Sequence, residues 1–435
     1  MASHGIPRTS RTAPTEERRL QDRDRIAKYR ELEDSIRAKT STNTYDSSLF
    51  QLTSKLLRLN PEYYTIWNVR RRCLISGLFS ASSPGSSPSK ALPSSSRSAT
   101  TNPSLGSSST SSSDATPPNR DSQTAGKSGT IADGARDGGS TDGKEAGAEG
   151  EEDTAAETSP TVKDSRPQHD IEADTNVIQS DLAFIIPLLL EFPKCYWIWK
   201  YRRWLLEQAT IRLPAPAARR IWEAELALVS KMLTKDRRNF HAWGYRRYVV
   251  ATLENSSLGG KSMVEDEFAY TTKMIVADLS NFSAWHNRSQ LILRLLDERG
   301  ADDAARKAFL EAELGIIGEA LNVGPEDQSL WYYHQYIISQ IVGHPGLPTI
   351  APALTTAERA DYVRKEIDNI KDLLEDYDGI KWVYEALLEY SLVLKGLGEQ
   401  GRDESENPHQ WLAKVRKLDP MRAGRWDDVE KQLGR

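Results

Sequence analysis

The sequence predicts an all-α protein, an α-α superhelix in which tandem antiparallel helical hairpins form a crescent. A tryptophan recurs at a nearly constant interval, and the apolar residues around each copy follow a 3.6-residue period. Clusters of β-branched residues with period-two alternation are missing, so we expect essentially no sheet. The recurring tryptophans are Trp67, Trp199, Trp243, Trp285 and Trp331.

The intervals between these tryptophans divide the chain. From Trp199 onwards they are 44, 42 and 46 residues, whereas the interval from Trp67 to Trp199 is 132. The excess matches the segment 80–168, which is rich in Ser, Thr, Gly, Pro, Ala and acidic residues and cannot bury enough surface to offset its ordering entropy. We therefore predict an N-terminal tail and first helical repeat at 1–79, a disordered insertion at 80–168, and the remaining repeats and C-terminal helices of the same superhelical domain at 169–435.

The third repeat shows how each hairpin is predicted. Residues 215–236 carry apolar side chains near a 3.6-residue period and form the first helix. Asn239 can cap the second helix, which runs from Phe240 through Val250, and an asparagine stands at the same place in the next repeat. Phe240 and Trp243 are predicted to share one face of this helix, because residues three and four apart stack.

Four of the tryptophans are followed three residues later by an arginine, and the fifth by His334. We expect each tryptophan to pack between neighbouring hairpins. We expect each arginine to lie along the seam, where it holds carbonyls or carboxylates of an adjacent helix. Neither role needs catalysis. The arginines are Arg70, Arg202, Arg246 and Arg288.

Composition argues against several classes of protein. A net charge of -5, from 57 basic and 62 acidic residues, gives no reason to expect a nucleic-acid partner. Cys73 and Cys195 can build neither a disulfide framework nor a zinc site alone, and no His-x-x-x-His pair occurs, so we predict no metal site in this chain. No apolar run approaches the roughly 20 residues of a membrane span, and we expect a cytoplasmic protein.

A candidate site lies where two of the second helices begin. Five residues before the tryptophan, only the second and third repeats carry a cation, which is Lys194 or Arg238. Backbone N–H groups at a helix start, with a Lys or Arg nearby, form a natural anion site. Tyr196 and Phe240, two residues further on, could line it. The alternative is that both cations are simply solvated in loops.

At these residues the chain resembles the α subunits of protein prenyltransferases, whose tandem helical hairpins carry a Trp-x-x-Arg mark. The resemblance covers nearly all of the chain outside the insertion, which is foreign to the family pattern. The stretches NPEYYTIWNVRR, DRRNFHAWGYRR and DQSLWYYHQYII, with the C-terminal LDPMRAGRWDDV, resemble the type II (Rab geranylgeranyltransferase) branch. The farnesyltransferase and type I α subunit usually has Lys-Asn-Tyr where this chain has Arg-Asn-Phe, at 238–240.

The resemblance implies one chain of a two-chain enzyme. It implies a β subunit that holds zinc and most of the catalytic groups, and an α subunit that lends basic residues to the lipid diphosphate. The implied reaction transfers a C20 isoprenoid from geranylgeranyl diphosphate to C-terminal cysteines of Rab GTPases, presented by an escort protein. On this resemblance Lys194 lies beside the diphosphate, and Arg238 stands where the farnesyltransferase relative has its diphosphate-facing lysine.

Two alternatives stay open on the sequence. One is the shared α subunit of farnesyltransferase and type I geranylgeranyltransferase. The other is a non-enzymatic helical-repeat scaffold of the tetratricopeptide type, although that repeat has a shorter period of about 34 residues. The sequence does not decide which Rab proteins are modified, the affinity for the β subunit, the role of the insertion, or whether His4 in the opening stretch SHGIPR contacts the partner's zinc.

Overall fold

A computed structural model describes residues 15–81, 166–344, 346–398 and 408–434 of the chain. These residues form fifteen α-helices, three short 3₁₀ or π segments and no strand, so the predicted all-α fold class is confirmed. The helices are α1 (Glu16–Ser41), α2 (Ser47–Leu59), α3 (Tyr64–Cys73), α4 (Gln168–Glu191), α5 (Tyr196–Arg212), α6 (Ala215–Lys235), α7 (Phe240–Leu253), α8 (Val264–Ala277), α9 (Phe282–Glu298), α10 (Asp303–Val323), α11 (Gln328–Val342), α12 (Thr356–Asp376), α13 (Lys381–Gly396), α14 (Pro408–Leu418) and α15 (Ala423–Leu433).

Successive helices pack as six hairpins. The pairs are α2–α3, α4–α5, α6–α7, α8–α9, α10–α11 and α12–α13, and α14 and α15 then pack against α13. Second helices of neighbouring hairpins also touch, as α3 does with α5, α5 with α7 and α9 with α11. Each hairpin therefore buries apolar surface against the hairpins on either side of it.

The recurring tryptophan lies at the centre of the buried face of each second helix. All five are buried, and Trp243 is only 1% exposed. Its indole N–H donates to the carbonyl of Arg237, six residues earlier in the turn before the helix, over 2.8 Å. The same bond forms in the other four repeats at 2.6–2.9 Å. Four of the indoles also contact a tyrosine ring of the next hairpin, so the predicted packing role is confirmed.

A buried ion pair joins each hairpin to the next. The arginine of one second helix binds a carboxylate on the first helix of the following hairpin, as Arg202 Nη2 binds Glu225 Oε2 at 2.6 Å. The predicted role of the arginines along the seam is therefore confirmed. The pairs are Arg70–Asp181, Arg202–Glu225, Arg246–Glu267 and Arg288–Glu313.

In three of these ion pairs the carboxylate also accepts a hydrogen bond from a tyrosine on the second helix of its own hairpin. Tyr245 Oη donates to Glu225 Oε1 at 2.8 Å. Burial, and then the charge of Glu225, raises the pKa of Tyr245 well above its ordinary value, so the phenol keeps the proton that it donates. Burial lowers the pKa of Arg202, but the charge and hydrogen bonds of Glu225 raise it by more, so the guanidinium keeps its proton. The other two bonds are Tyr201–Asp181 and Tyr333–Glu313.

In the fifth repeat a histidine replaces the arginine in the contact with the next hairpin. His334 is buried on α11, and its Nε2 atom lies 2.9 Å from Glu366 Oε2 on α12. Its Nδ1 atom lies 2.6 Å from the hydroxyl of Tyr390 on α13. The connection from a second helix to the next carboxylate is therefore kept with a smaller side chain.

The start of α7 confirms one prediction and corrects another. Asn239 caps the helix, because its Oδ1 atom accepts from the Ala242 N–H at 3.1 Å, and Asn281 caps α9 in the same way. The prediction that Phe240 shares a face with Trp243 is wrong, since Phe240 is 75% exposed. Helical side chains lean towards the N-terminus, so that of the first residue extends past the helix end and out of the packed layer.

Among the described helices, α4 is long and apolar enough by composition to cross a membrane. It nevertheless carries two buried carboxylates, Asp174 and Asp181, which accept hydrogen bonds from Ser80 and Tyr201. Its apolar side chains lie in the common core, and α4 pairs with α5 as the first helix of an ordinary hairpin. These contacts make α4 a core helix.

The two ends of the predicted insertion lie side by side. Asp174 accepts from the Ser80 N–H and from Arg166 Nη2, both at 2.8 Å. Arg166 also donates to Ser80 Oγ at 2.8 Å and to the carbonyl of Arg212. The first hairpin therefore stacks directly on the second. Residues 82–165 of the predicted insertion, and His4, lie outside the described residues.

Replacing residues 82–165 with a short Gly-Ser linker should leave the helical array folded. Ser80 and Arg166 already touch, and the closure entropy of a loop changes only slowly with its length. We expect an unchanged melting temperature and the same helical content by circular dichroism. Loss of the folded state on deletion would contradict the alignment of the first repeat with the second.

Trp243→Ala should lower the free energy of unfolding by about 3–5 kcal/mol, because it opens a cavity between two hairpins. Trp243→Phe should cost less, since the ring volume is largely kept and only the indole N–H is lost. The matched control is Phe240→Ala on the same helix, which should stay within about 0.5 kcal/mol of the parent because the side chain is exposed. Urea unfolding followed by circular dichroism measures all three, and equal effects of the Trp243 and Phe240 substitutions would contradict these roles.

Candidate functional site

Lys194 and Tyr196 lie at the start of α5. Lys194 is exposed in the turn after α4, and Tyr196, the first helical residue, is about half exposed. The capping residue Cys195 supplies no side-chain hydrogen bond to the first N–H groups of α5. Lys194 forms no ion pair with any described residue. A cation and uncapped helix N–H groups thus meet at one place on the surface.

Arg238 and Phe240 hold the equivalent positions before α7, but their surroundings differ. Arg238 Nε donates to Asp278 Oδ2 over 3.4 Å, with most of the arginine side chain in solvent. The neighbouring Arg237 donates to the carbonyl of Ala277 at 2.9 Å. Asn239 already occupies one of the first N–H groups of α7. The start of α7 is therefore less open to an anion than the start of α5.

His241 links the two helix starts and was absent from the predicted site residues. Its ring centroid lies 6.3 Å from that of Tyr196 and 5.9 Å from that of Phe240. The structure thus brings both predicted aromatic residues to one imidazole. The signal in the sequence is its position, directly after the aromatic residue that opens α7 and two residues before the buried tryptophan.

Exposed rings continue along the starts of the second helices. The first residue of each of α3, α5, α7 and α9 is aromatic and about half exposed or more. We call these four residues, Tyr64, Tyr196, Phe240 and Phe282, the aromatic row. The ring of Trp197 lies 5.2 Å from Tyr64 and 5.3 Å from Tyr196, and the Lys200 ammonium lies 5.6 Å from the centroid of Trp197. Apolar rings beside cations suit a ligand with an anionic head and a protein partner with an apolar surface.

The described residues do not fit a zinc site. No group of three or more His, Cys, Asp or Glu side chains among them is placed to hold a metal ion. Burial raises the pKa of both cysteine thiols, Cys73 and Cys195, to about 11, so neither is a ready thiolate ligand.

A family model described as "Protein prenyltransferase alpha subunit repeat" matches four segments of the chain. They are residues 46–76, 178–209, 222–253 and 264–295. Each match covers one of the first four hairpins, from within or near its first helix into its second. The repeat of the family is therefore the hairpin described above.

Three relatives share the name "Geranylgeranyl transferase type-2 subunit alpha". The Schizosaccharomyces pombe protein is 31% identical over 49% of this chain and 62% of its own length. The Saccharomyces cerevisiae protein is 28% identical over 57% of this chain and 71% of its own length. The Dictyostelium discoideum protein is 33% identical over 59% of this chain and 71% of its own length. The match thus spans a little under two thirds of the first of these relatives and a little more of the other two.

Proposed function

Because this chain belongs to the protein prenyltransferase α-subunit family, we propose that it is the α subunit of a heterodimeric type II geranylgeranyltransferase. The proposed reaction transfers the geranylgeranyl group from geranylgeranyl diphosphate to C-terminal cysteines of Rab GTPases that an escort protein presents in the cytoplasm. The chain acts in this proposal only together with a β subunit. The observation that carries it is the unpaired Lys194 at the uncapped start of α5, beside a row of exposed aromatic rings.

Lys194 is proposed to bind the diphosphate of the lipid. A cation at the positive end of a helix is disfavoured by roughly 0.3–1 kcal/mol, and a bound anion reverses that cost because it is attracted by the ammonium and by the helix N–H groups together. As the bond to the isoprenoid breaks, negative charge grows on the departing diphosphate. The same groups then stabilise the transition state more than the ground state.

Tyr196 and His241 are proposed to orient the diphosphate. A phenol and an imidazole N–H are both hydrogen-bond donors, and their rings lie 6.3 Å apart next to the turn that carries Lys194. Arg238 contributes less in this proposal, because Asp278 already holds its guanidinium. The residues of this chain thus bind and position the leaving group.

The aromatic row is the proposed contact surface for the β subunit. Exposed apolar rings that lie on successive elements commonly mark a protein interface, and aromatic residues are enriched there. Zinc is assigned to the β subunit, where it would lower the pKa of the substrate thiol. This chain holds the lipid diphosphate next to that partner.

The two alternatives have less support. The relatives described above are all named as type-2 subunits, and residues 238–240 lack the Lys-Asn-Tyr of the shared farnesyltransferase and type I subunit. A scaffold of the tetratricopeptide type has a different repeat from the one that the family model matches.

Lys194→Ala should slow single-turnover lipid transfer by about 10- to 150-fold, as expected for loss of one charge-assisted contact. The melting temperature of the heterodimer should not change, since the side chain is exposed and unpaired. Arg238→Ala is the matched comparison at the next helix and should have a smaller effect, because Arg237 lies beside it. If Lys194→Ala transfers lipid like the parent, or fails only because the complex dissociates, the solvated-loop alternative holds.

The purified chain alone should bind no stoichiometric zinc and transfer no lipid. Zinc binding and lipid transfer should both appear when a prenyltransferase β subunit and a Rab–escort complex are added. Metal analysis by inductively coupled plasma mass spectrometry, before and after assembly, makes the measurement. One tightly held zinc ion in the isolated chain would contradict the assignment of the metal to the partner.

A further inference from the structure

Three arginines occupy the same position on neighbouring second helices, four residues after the tryptophan. They are Arg71 on α3, Arg203 on α5 and Arg247 on α7. Each directly follows an arginine that is buried in an ion pair, and helical geometry turns it about 100° away from that partner. Their bonding differs from one helix to the next.

Arg203 has both a carboxylate and a stacking partner within the chain. Its Nε atom donates to Glu207 Oε1 at 3.0 Å, and its guanidinium lies 3.8 Å from the centroid of the Tyr248 ring. The hydroxyl of Tyr248 also donates to Glu207, at 2.9 Å. Burial lowers the pKa of Arg203, but Tyr248 and Glu207 raise it by more.

Arg71 has the stacking partners but no carboxylate. Its guanidinium lies 5.4 Å from the ring centroid of Tyr201 and 5.5 Å from that of Trp204. Its Nη1 atom donates to Asn68 Oδ1 at 2.8 Å, whereas its Nε atom is buried with no hydrogen-bond partner. Burial lowers the pKa of Arg71, and the more distant charges of Tyr201 and Glu207 raise it by less.

Arg247 has neither kind of partner among the described residues. No ion pair or hydrogen bond with a described residue holds its guanidinium, and the side chain is exposed. At the place where α5 and α7 offer Trp204 and Tyr248 to the preceding arginine, α9 offers Gln290, which has no ring to stack on. The side chain instead lies along its own helix near Gly244.

The partly buried guanidinium of Arg71, with no carboxylate beside it, is costly in the free chain. The exposed Arg247 adds a second charge without an ion pair on the same array of helices. A carboxylate from outside would satisfy both charge and hydrogen bonds, and its fork geometry matches that of arginine. The helices α3 and α7 each pack against α5, at about 8–10 Å per step, so their axes lie roughly 16–20 Å apart. That gap is too wide for one diphosphate group to bridge, whereas an extended protein surface spans it.

We propose that Arg71 and Arg247 are docking residues for the β subunit, each pairing with a carboxylate that this subunit supplies. The assignment rests on the proposed function, which supplies the partner. It extends the aromatic row, since Tyr64 and Phe240 open the same two helices, α3 and α7. Arginine is enriched among the residues that dominate binding energy, and Arg71 is flanked by two aromatic rings.

The experiment measures the dissociation constant of the heterodimer for Arg71→Gln, Arg247→Gln and the double variant. The matched control is Arg203→Gln, at the same position on the helix between them. We expect about 10- to 100-fold weaker assembly for each single variant and a larger loss for the double variant, with the control within about threefold of the parent. Arg71→Lys should restore part of the affinity, because it keeps the charge and loses the fork.

Two further readouts separate docking from other roles. The melting temperature of the full chain alone should stay the same or rise in Arg71→Gln, because a partly buried charge without a carboxylate is removed. It should not change in Arg247→Gln, because that side chain is exposed. The KM for geranylgeranyl diphosphate, measured with the β subunit in saturating excess, should not change. Unchanged assembly of the double variant, an equal loss in Arg203→Gln, or a raised KM with normal assembly would each overturn the proposal. A parent chain that forms no complex with a β subunit would instead overturn the proposed function itself.

Discussion

The array depends on a buried carboxylate that two consecutive hairpins share. Glu225 accepts from Arg202 of the hairpin before it and from Tyr245 of its own hairpin, and it is only 3% exposed. Removing one partner of such a pair leaves a buried charge and commonly costs about 3–5 kcal/mol. If a hairpin stacked one residue out of register, its buried carboxylate would lose its arginine partner at that cost. We infer that these ion pairs fix the register of stacking, while the apolar core supplies most of the stability.

The same stacking register also fixes the position of Lys194 in the candidate diphosphate site. The carbonyl of Pro193 accepts from the indole of Trp199 in its own hairpin at 2.9 Å and from Asn239 of the next hairpin at 3.2 Å. Lys194 is the next residue, so its backbone is fixed by two hairpins although its side chain is free in solvent. An ammonium on a fixed turn needs little ordering when it binds an anion, and this favours both binding and transition-state stabilisation.

The tryptophan period predicted the hairpins, the caps and the structural role of the arginines, because those features repeat within one stretch of chain. The carboxylate partners are on other helices and were not predicted, although a signal exists. Each stands eighteen residues before the tryptophan of its own repeat, as Glu225 does before Trp243 and Glu267 before Trp285. His241 and the exposure of Phe240 were missed for a different reason. Helical periodicity describes the middle of a helix, whereas both residues lie in its first turn, where no neighbour packs above them.

Two consecutive arginines on one helix thus have two different roles. In Arg70-Arg71, Arg202-Arg203 and Arg246-Arg247 the first residue holds the next hairpin through a buried carboxylate, and the second faces another direction. Only the middle pair finds a carboxylate for its second arginine within the described chain, and there Tyr248 of the following hairpin completes the contact. Arg71 has a buried Nε atom without a hydrogen-bond partner, and the exposed Arg247 has no ion pair within the described chain. The stability of the described chain therefore gives no reason for either residue to be charged. A contact outside the chain does give one, and the two unpaired charges flank the helix that carries the candidate diphosphate site. On this view, assembly with the partner and placement of the lipid are properties of the same three helices.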